Sequence, residues 1–574
     1  MTRQPRNFAL FLAVATVVAL TGCRSTPRSD SSAASNVVSP GGELVVSVRT
    51  DPQSFLWFTK RDGVTQLVTF LTQARLVRVD RATQNVEPWL AESWTRSADG
   101  RQYTVKLRPG ISFSDGHPFT SDDVLFSFRA AYDEGSVIGD SLQENGKRLQ
   151  VAAPDPTTVV ISFAEPFGPG LRILDNLPIV PRHKLEAALK AGTFARAWGV
   201  STPPQDMAGL GPFVLTEYVP GQRLRFSRNA RYFRKDANGI ALPYVDRVLV
   251  QVAPDQDTEL LRLDAGQVDM STTEIRPEDY APLRRAADAG RVQLFDLGAA
   301  YDPDSLWFNL KPGGLGSDPR AAWLQRDELR RAVSLAVNRQ LFADTVYLGA
   351  ATPAFGPITT ANKPWYSPDV PHTSYDPARA KLLLASIGLT DRNGDGVLED
   401  ARGEPARFTL LTQKGLSSLE RGAAVIRDEL KKIGLVVDVV SLEGNAVIQR
   451  FLSGHNYDAV YFRIATTDTD PAINLDFWLS SGTSHVWNLA QATPATPWER
   501  QIDELMTRQM TSSDEHERKR LFDEVQKVFA EYLPIIHFAA ARVYVAASAR
   551  VTHVTPAVLR PQLLWSPDTI AVRH

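Results

Sequence analysis

Short segments with strand or helix periodicity follow one another through the first half of the chain. The strands predicted from alternating or β-branched apolar residues are residues 43–48, 102–107, 157–163, 214–219, 222–228 and 246–252. Thr120 and Asp123 form a capping-box pattern, which predicts a helix from there to about Ala131. A second helix is predicted over residues 255–265, where Gly266 ends the pattern. This half therefore combines helices with a sheet that is rich in hairpins.

The second half shows a more regular alternation of strand and helix patterns. Its predicted strands are residues 305–310, 408–411, 435–440 and 457–464. Its predicted helices are residues 327–338, 418–433 and 514–532, with one more between the N-cap pattern Asp376-Pro377 and Gly388. A helix between two apolar strands, as over residues 408–440, is typical of a β-α-β unit. The whole chain therefore predicts an α/β fold.

The N-terminus resembles an export signal. Arg3 and Arg6 precede an apolar run of 13 residues, 8–20, which is too short for the ~20 residues of a membrane-spanning helix. Leu-Thr-Gly-Cys at residues 20–23 then resembles the bacterial lipoprotein signal. That resemblance implies a signal peptide over residues 1–22 and a diacylglycerol on the Cys23 thiol. The protein would be anchored to the lipid bilayer of the cell envelope, in the periplasm or on the outer face of the plasma membrane. The alternative is a lone cysteine buried as a small apolar residue.

Composition indicates a globular body on a flexible tether. Cys23 is the only cysteine, so the body forms no intramolecular disulfide. Hydrophobic residues make up 43% of the chain, as in ordinary globular proteins, and a net charge of −2 leaves no excess for binding nucleic acid. Residues 23–42 are rich in Ser, Pro, Gly and Ala, and as a flexible coil they would separate anchor and body by roughly 25 Å.

Several stretches spread over the chain carry a resemblance to a known family. They are residues 107–124, 209–215, 228–233, 265–269, 329–339, 375–384, 518–529 and 533–536. In this order they resemble the extracellular solute-binding proteins of family 5, the oligopeptide- and dipeptide-binding type of ABC importers. Within these stretches, Gly116, Gly209 and Gly211 are expected to give the backbone conformational freedom rather than to contact a ligand.

The resemblance implies a periplasmic-binding-protein-like α/β clamshell of two lobes with an additional inserted domain. The implied parts are a discontinuous lobe I of residues 43–85, 205–300 and 537–574, an inserted domain II of residues 86–204, and a lobe III of residues 301–536. A monomer of this kind closes around a peptide or a similar-sized polar solute and delivers it to ABC permease subunits in the membrane. The resemblance implies no catalysis, no cofactor and no metal.

Residues 464–471 indicate how the ligand would be held. Oligopeptide-binding members of the family usually have Trp-x-Ala-Asp-Tyr-x-Asp-Pro here, and their first aspartate anchors the α-amino group of the peptide. Aligned on Asp470-Pro471, the tryptophan becomes Ile464 and the anchoring aspartate becomes Thr467, with Asp468 one position further on. The departure favours a cargo without a free N-terminus, or one that is held differently.

The candidate ligand-binding residues are aromatic and polar side chains expected near the cleft. They are Phe55, Trp57, Trp307, Asn309, Arg463, Thr467, Asp468, Asp470, Trp487 and Asn488. Each has a structural alternative. Tryptophans, with Trp478 as a further example, can fill the core of a lobe, asparagines can bind local backbone, and Asp468 can cap the turn near Asn474.

Other chemistry finds less support in the sequence. Asp391, Asn393, Asp395 and Glu399 imitate a calcium loop, but the twelfth position is Arg402 where an EF-hand has glutamate, so a surface turn is the alternative. The chain has no His-Glu-x-x-His zinc motif, no Gly-x-Ser-x-Gly elbow and no P-loop. A lipid-anchored sensor or chaperone with the same fold is the second hypothesis for function, ahead of a secreted hydrolase.

Overall fold

The computed structural model describes residues 40–144, 146–464 and 468–573. The expected signal peptide, the Cys23 anchor, most of the tether and Thr467 lie outside these residues, so those expectations stay predictions. Within the described part of the chain, no helix is long and apolar enough to cross a membrane.

Helices and strands are mixed along the whole described chain, which confirms the predicted α/β class. Residues 43–190 contain β1 (Glu43–Val48), α1 (Gly63–Thr72), β2 (Ala74–Arg75), β3 (Val77–Val79), β4 (Val86–Pro88), β5 (Ala91–Arg96), β6 (Gln102–Leu107), α2 (Ser121–Ala131), β7 (Gln143–Glu144), β8 (Lys147–Arg148), β9 (Gln150–Asp155), β10 (Thr158–Ser162), β11 (Pro178–Ile179) and α3 (Arg182–Lys190). Residues 213–299 contain β12 (Phe213–Val219), β13 (Arg223–Arg228), β14 (Arg247–Val252), α4 (Gln256–Asp264), β15 (Met270–Ser271), α5 (Tyr280–Asp288) and β16 (Val292–Ala299).

The rest of the chain continues the mixture. Residues 304–572 contain β17 (Asp304–Phe308), α6 (Ala321–Leu324), α7 (Asp327–Ala336), α8 (Arg339–Tyr347), β18 (Ala351–Pro353), α9 (Pro377–Ser386), β19 (Arg407–Gln413), α10 (Ser417–Lys431), β20 (Val436–Leu442), α11 (Gly444–Ile448), β21 (Ala459–Arg463), α12 (Leu475–Trp478), α13 (Pro497–Thr511), α14 (Glu515–Tyr532), β22 (Ile535–His537), β23 (Ala539–Ser548), β24 (Val551–Thr552) and β25 (Ala571–Val572).

The first sheet has the strand order β12-β13-β14-β1-β15-β23-β16, with β18 paired to β23. β1 runs parallel to β14 and β15, and the remaining pairs are antiparallel. The predicted hairpin over residues 214–228 is the antiparallel pair β12–β13. This sheet is assembled from segments that lie at both ends of the folded chain.

The second sheet has the strand order β20-β19-β21-β17-β22. β19 is parallel to β20 and β21, whereas β17 is antiparallel to β21 and β22. Helix α10 lies between β19 and β20 in the chain, which confirms the predicted β-α-β unit. All five residues of β17 are buried, because strands pair with it on both edges and side chains cover both of its faces.

A third, antiparallel sheet has the order β5-β6-β10-β9 and falls within the stretch expected as the inserted domain. Helix α2 in the same stretch begins with the predicted capping box, in which Thr120 and Asp123 each accept a backbone amide of the other. The exact boundaries expected for the lobes and the inserted domain remain predictions.

The chain crosses between the first and second sheets several times, and two of the crossings are short. Residues 300–303 connect β16 to β17, and Phe538 alone connects β22 to β23. Phe538 is fully buried and stacks on Phe342 with ring centroids 5.1 Å apart. The two crossings bring the ends of β17 and β22 to the place where the two sheets meet.

The helix predicted over residues 327–338 is α7, and it ends two residues earlier than predicted. Helix α7 ends at Ala336, and the Asn338 side chain accepts a hydrogen bond from the Leu341 amide at 3.0 Å, so that Asn338 is the N-cap of α8. Asparagine is a favoured N-cap residue, and here it begins α8, a helix that was not predicted from the sequence.

Three glycines of the family-like stretches serve two different purposes in this fold. Gly116 has φ +93°, as its tight turn requires. Gly209 and Gly211 do not have positive φ, but a Cβ on Gly209 would lie 1.9 Å from the Thr72 oxygen, and one on Gly211 would lie 2.4 Å from the Thr72 carbonyl carbon. These two glycines are needed for close backbone packing against the end of α1, not for an unusual backbone angle.

Candidate ligand-binding cavity

A cavity of about 810 Å³ lies where segments of all three sheet-bearing regions meet. It is lined by residues drawn from the segments 57–66, 140–146, 167–176, 302–305, 357–362, 468–484 and 535–537, together with Ile464. This volume lies in the upper part of the ~300–1,000 Å³ range of small-molecule pockets. Because the walls come from segments far apart in sequence, a relative movement of the two large sheets would change the shape of the cavity.

Aromatic side chains contribute apolar wall to the cavity. Trp57, predicted as a cleft residue, lines it, as do Phe167, Phe477 and Trp478. Phe477 and Trp478 pack edge to face with ring centroids 4.9 Å apart. Trp478 is nevertheless buried and also packs on Phe522, so most of its surface belongs to the core, the role considered as its alternative. Such rings offer large contact areas that tolerate different ligand side chains.

Arg172 joins three separate parts of the chain beside the cavity. It lies in the 3₁₀ helix Gly170–Asn176, and its Nε donates to Asp468 Oδ1 at 2.6 Å. Its terminal nitrogens donate to Thr469 Oγ1 and to the Gln84 carbonyl oxygen, both at 2.6 Å. Burial disfavours the guanidinium charge, but the Asp468 carboxylate more than offsets this and raises the pKa of Arg172. Asp468 lines the cavity, and its carboxylate is paired with an arginine of the same chain.

Asp470 has a structural role. Its carboxylate accepts the Ala472 amide at 3.0 Å and an N–H of Arg518 at 2.6 Å, and both side chains are buried. The Arg518 guanidinium also lies 4.9 Å from the ring centroid of Trp365. The buried ion pair holds the loop after β21 against α14, and Asp470 is not among the described residues that line the cavity.

Arg463 also pairs inside the protein. Its guanidinium donates to Asp304 Oδ1 at 3.2 Å and to Tyr347 Oη at 2.6 Å, and the Tyr347 hydroxyl in turn donates to Asp304 Oδ2 at 2.6 Å. Burial raises the pKa of Tyr347, and the Asp304 carboxylate adds to the effect. Arg463 is not among the residues that line the cavity in the described structure, and its charge is used within the second sheet.

Five further predicted residues lie in the protein interior rather than at the cavity. They are Phe55, Trp307, Asn309, Trp487 and Asn488. The three aromatic rings each form an edge-to-face contact with another buried or half-buried ring. The two asparagine side chains donate to a backbone carbonyl at 3.1 Å and to a glutamine side chain at 2.8 Å, respectively. Core packing and local hydrogen bonds, the alternatives to ligand contact, account for all five.

One wall of the cavity, here called the hinge side, contains polar residues that were not predicted from the sequence. It is formed by residues 302–305, 357–362 and 535–537. His537 ends β22, and its Nδ1 lies 3.2 Å from Ser305 Oγ. Burial lowers the pKa of His537 to about 3. Asn362 is also on this wall, where its Nδ2 donates to the Thr469 carbonyl oxygen at 2.8 Å. The family-like stretch 533–536 ends one residue before His537 and is the one sequence feature that points to it.

The acidic loop after α9 is shaped by its own hydrogen bonds. Oxygens of Asp391, Asp395 and Glu399 lie within 4.8 Å of one another. The Asp391 carboxylate accepts the amides of Gly394 and Gly396, at 2.7 and 3.0 Å, and the Glu399 carboxylate accepts another backbone amide at 2.8 Å. These bonds are those of a surface turn, the alternative to a calcium loop.

A family sequence model, curated relatives and a solved structure all resemble this chain over most of its length. Residues 85–485 match the sequence model of a family described as bacterial extracellular solute-binding proteins, family 5 Middle. Oligopeptide-binding protein AppA of Bacillus subtilis (strain 168) is 26% identical over 552 residues, which cover 93% of each chain. Di/tripeptide-binding protein 1 of Pseudomonas aeruginosa (strain UCBPP-PA14) is 25% identical over 515 residues, which cover 86% of this chain and 87% of that one. The solved structure of AppA from Bacillus subtilis with a nonapeptide has a TM-score of 0.69 at 24% identity and covers 94% of this chain and 100% of that one. This likeness confirms the expected α/β clamshell with an inserted domain.

Proposed function

The chain belongs to the bacterial extracellular solute-binding proteins of family 5, and on this basis we propose that it is the substrate-binding lipoprotein of an ABC importer. In this function it captures a peptide or a similar-sized polar solute between its lobes and delivers it to a membrane permease. Relatives named for oligopeptides and for di- and tripeptides support the peptide class. The observation that carries the proposal is the cavity of about 810 Å³, whose walls come from all three sheet-bearing regions.

Capture depends on contacts that exist only when the lobes are closed. A ligand drives closure only by the difference between its affinities for the closed and open forms. Here Trp57 belongs to the segment after β1, whereas Phe477 and Trp478 belong to α12, which follows β21 in the chain. A ligand that touches both groups gains the second set of contacts on closure, which supports a hinge-closing mechanism.

The ligand's α-amino group is not expected to bind as in oligopeptide-binding members of the family. The position of their anchoring aspartate is Thr467 in this chain, and the neighbouring carboxylate of Asp468 is paired with Arg172 at 2.6 Å. An incoming ammonium would have to compete with a guanidinium that has three hydrogen bonds. A ligand without a free N-terminus, or with its amino group elsewhere in the cavity, fits this arrangement better.

A hydrolase is the less favoured function, although a serine and a histidine meet at the cavity. Ser305 Oγ and His537 Nδ1 are 3.2 Å apart, a distance found in nucleophile–base pairs. A base that works near neutral pH needs a pKa near that pH, whereas the pKa of His537 is lowered to about 3. The Ser305 hydroxyl also reaches the Pro303 carbonyl oxygen at 3.1 Å. The pair fits a buried structural contact better than an activated nucleophile.

The ligand is tested with the soluble body, produced from residue 24 onward, by mass spectrometry of the solutes that co-purify and by calorimetric titration with peptides. Recovery of peptides, and their loss in a Ser481→Trp variant that fills the cavity, is the expected result. Ser513→Trp is the matched control, because Ser513 is exposed and outside the cavity wall. Recovery of a sugar or an opine would overturn the peptide assignment, and turnover of a bound solute would overturn the binding-only function.

Anchoring and transport are tested in the cells that make the protein. The full chain should fractionate with membranes, and a Cys23→Ala variant should not. Deletion of the gene should abolish uptake of the solute identified above, and the wild-type gene should restore it. Unchanged uptake together with altered gene expression would favour the alternative, a lipid-anchored sensor or chaperone with the same clamshell.

A further inference from the structure

The hinge side of the cavity contains two buried polar atoms that lack hydrogen-bond partners. They are His537 Nε2 and Asn362 Oδ1, and neither has a hydrogen-bond partner in the described part of the chain. Both residues line the cavity, and they are 4% and 5% exposed. Leaving such a group buried and unpaired costs about 1–3 kcal/mol. Of the 17 buried side-chain atoms without a partner in the described residues, these two belong to residues that line the cavity, where a bound solute can complete their hydrogen bonding.

The chemistry of His537 follows from its neighbours. Ser305 Oγ lies near both the Pro303 carbonyl oxygen and His537 Nδ1, at 3.1 and 3.2 Å. A carbonyl oxygen can only accept, so the serine hydroxyl donates to Pro303 and accepts from Nδ1–H. Neutral histidine carries one ring proton, which leaves Nε2 as an acceptor. His537 therefore offers a lone pair and no proton at its unpaired nitrogen.

Asn362 also offers an acceptor. Its Nδ2 donates to the Thr469 carbonyl oxygen at 2.8 Å, and this partner decides which end of the amide is nitrogen. The unpaired end is thus the oxygen Oδ1. Thr359, in the same segment as Asn362, donates through Oγ1 to the Ala300 carbonyl oxygen at 2.6 Å. This bond holds segment 357–362 against the connection formed by residues 300–303. The two free acceptors belong to the same wall.

The charged side chains that line the cavity are mostly acidic, which favours ligand groups that carry positive charge and donate hydrogen bonds. Four carboxylates line it, those of Asp140, Asp302, Asp468 and Asp476, whereas Arg61 is the one lysine or arginine among its described lining residues. Two of the four have partners within the protein: Asp468 is paired with Arg172, and Asp302 also has an interaction partner. An anionic group would meet unpaired acceptors and net negative charge, and an ammonium or amide N–H would meet partners for its protons.

We propose that the hinge side, through His537 Nε2 and Asn362 Oδ1, holds a hydrogen-bond-donating group of the ligand, and that the cavity selects cationic solutes over anionic solutes of the same size. This inference rests on the proposed solute-binding function and names the ligand class within it. It makes His537 and Asn362 specificity-determining residues, although neither belongs to the family motif at residues 464–471.

The test uses three probes that differ only in side-chain charge: tri-lysine, tri-alanine and tri-glutamate, each acetylated at the N-terminus and amidated at the C-terminus. Calorimetry with the soluble body at pH 7.4 should show tri-lysine binding at least about tenfold more tightly than tri-glutamate. The preference should shrink when salt rises from 50 to 500 mM, because exposed carboxylates such as Asp476 are screened. Equal or tighter binding of tri-glutamate would overturn the inference.

Variants test the two acceptors directly. His537→Phe and Asn362→Leu should each weaken tri-lysine binding about three- to tenfold, and His537→Gln, which can place an oxygen near the Nε2 position, should recover much of the loss. His485→Gln is the matched control, because His485 is a buried histidine outside the cavity wall. Thermal melts show which variants are folded, and the surface variant Asp476→Asn should lower only the tri-lysine affinity.

The outcomes separate this inference from the proposed function. If tri-alanine or tri-glutamate binds and tri-lysine does not, the solute-binding function stands and the charge preference is wrong. Unchanged tri-lysine affinity in folded His537→Phe and Asn362→Leu would also refute the role of the two acceptors. Failure of all three probes, with no solute recovered from the purified protein, would refute both.

Discussion

The pair Arg172–Asp468 should contribute both to stability and to closure of the cavity. Arg172 lies in the stretch expected as the inserted domain, and Asp468 follows β21 of the second sheet. We expect Arg172→Met to destabilise the protein and to favour an open form in the absence of ligand. The same is expected of Asp468→Asn, which leaves the guanidinium without its carboxylate.

The magnitude follows from burial and hydrogen bonding. The two side chains are 9% and 10% exposed, and the three bonds of Arg172 are each 2.6 Å long. Removing one partner of a buried ion pair costs about 3–5 kcal/mol, because the other charge stays buried and unpaired. A hydrogen bond to a charged group contributes about 1.5–3 kcal/mol. Each single variant should therefore lose about 3 kcal/mol, and the double variant should lose about 2 kcal/mol less than the sum.

A double-mutant cycle measured by urea unfolding gives the coupling energy, and small-angle X-ray scattering of the ligand-free variants reports opening as a larger radius of gyration. The control pair is Arg520–Glu517, whose side chains are exposed and 2.8 Å apart, and whose coupling should stay below about 0.5 kcal/mol. A coupling for Arg172–Asp468 as small as that of the control pair would refute the reasoning. An unchanged radius of gyration would refute its connection with closure.

Three further changes test other parts of the structure. The folded-state pKa of His537, about 3, lies below the ordinary ~6.5, so the unfolded chain takes up a proton before the folded protein does as the pH is lowered. The folded state therefore becomes less stable as the pH falls below about 6.5. Between pH 7 and 5 the free energy of unfolding of the wild type, measured with urea, should fall by about 2 kcal/mol more than that of His537→Gln. Gly211→Ala places a Cβ 2.4 Å from the Thr72 carbonyl carbon and should lower stability by at least about 1–3 kcal/mol, whereas Gly63→Ala, with nothing within 4 Å, should change it by less than about 1 kcal/mol. Thr120→Ala removes one half of the capping box of α2 and should cost about 1 kcal/mol in thermal or urea unfolding.

Each of these three has an outcome that contradicts it. Parallel pH profiles of the wild type and His537→Gln would mean that the histidine is protonated in the folded protein. A Gly211→Ala variant as stable as Gly63→Ala would mean that the backbone there moves apart without cost. An unchanged melting temperature for Thr120→Ala would mean that water replaces the cap.

Local sequence patterns predicted local structure well and the cavity poorly. The capping box at Thr120 depends on residues three positions apart, and the β-α-β unit depends on apolar periodicity, so both could be read from the chain. Trp307 was expected in the cleft and lies in the core because β17 has strands on both sides, which only the sheet order reveals.

Arg172 and Asp468 show the same limit at the cavity itself. The arginine reaches Asp468 across 296 positions of sequence, and no pattern in the chain connects the two residues. The family motif identified the loop that carries Asp468 but could not show that the carboxylate is already paired. A motif can therefore identify the loop that forms part of a cavity. It cannot identify the side chains from distant segments that pair with residues of that loop.

The two short crossings between the large sheets have unequal freedom, and this restricts how the molecule can bend. Two connections side by side resist twisting of one lobe relative to the other, but they allow bending about the line that joins them. The Phe538 connection is a single buried residue stacked on Phe342, and the adjoining His537 carbonyl oxygen accepts an N–H of Arg339 at 2.9 Å, so it can rotate little. Of these two short crossings, the four residues 300–303 would then absorb more of the change in backbone angles. Opening would follow one path about a nearly stationary pivot, and His537 would stay almost in place while the opposite wall moves away from it.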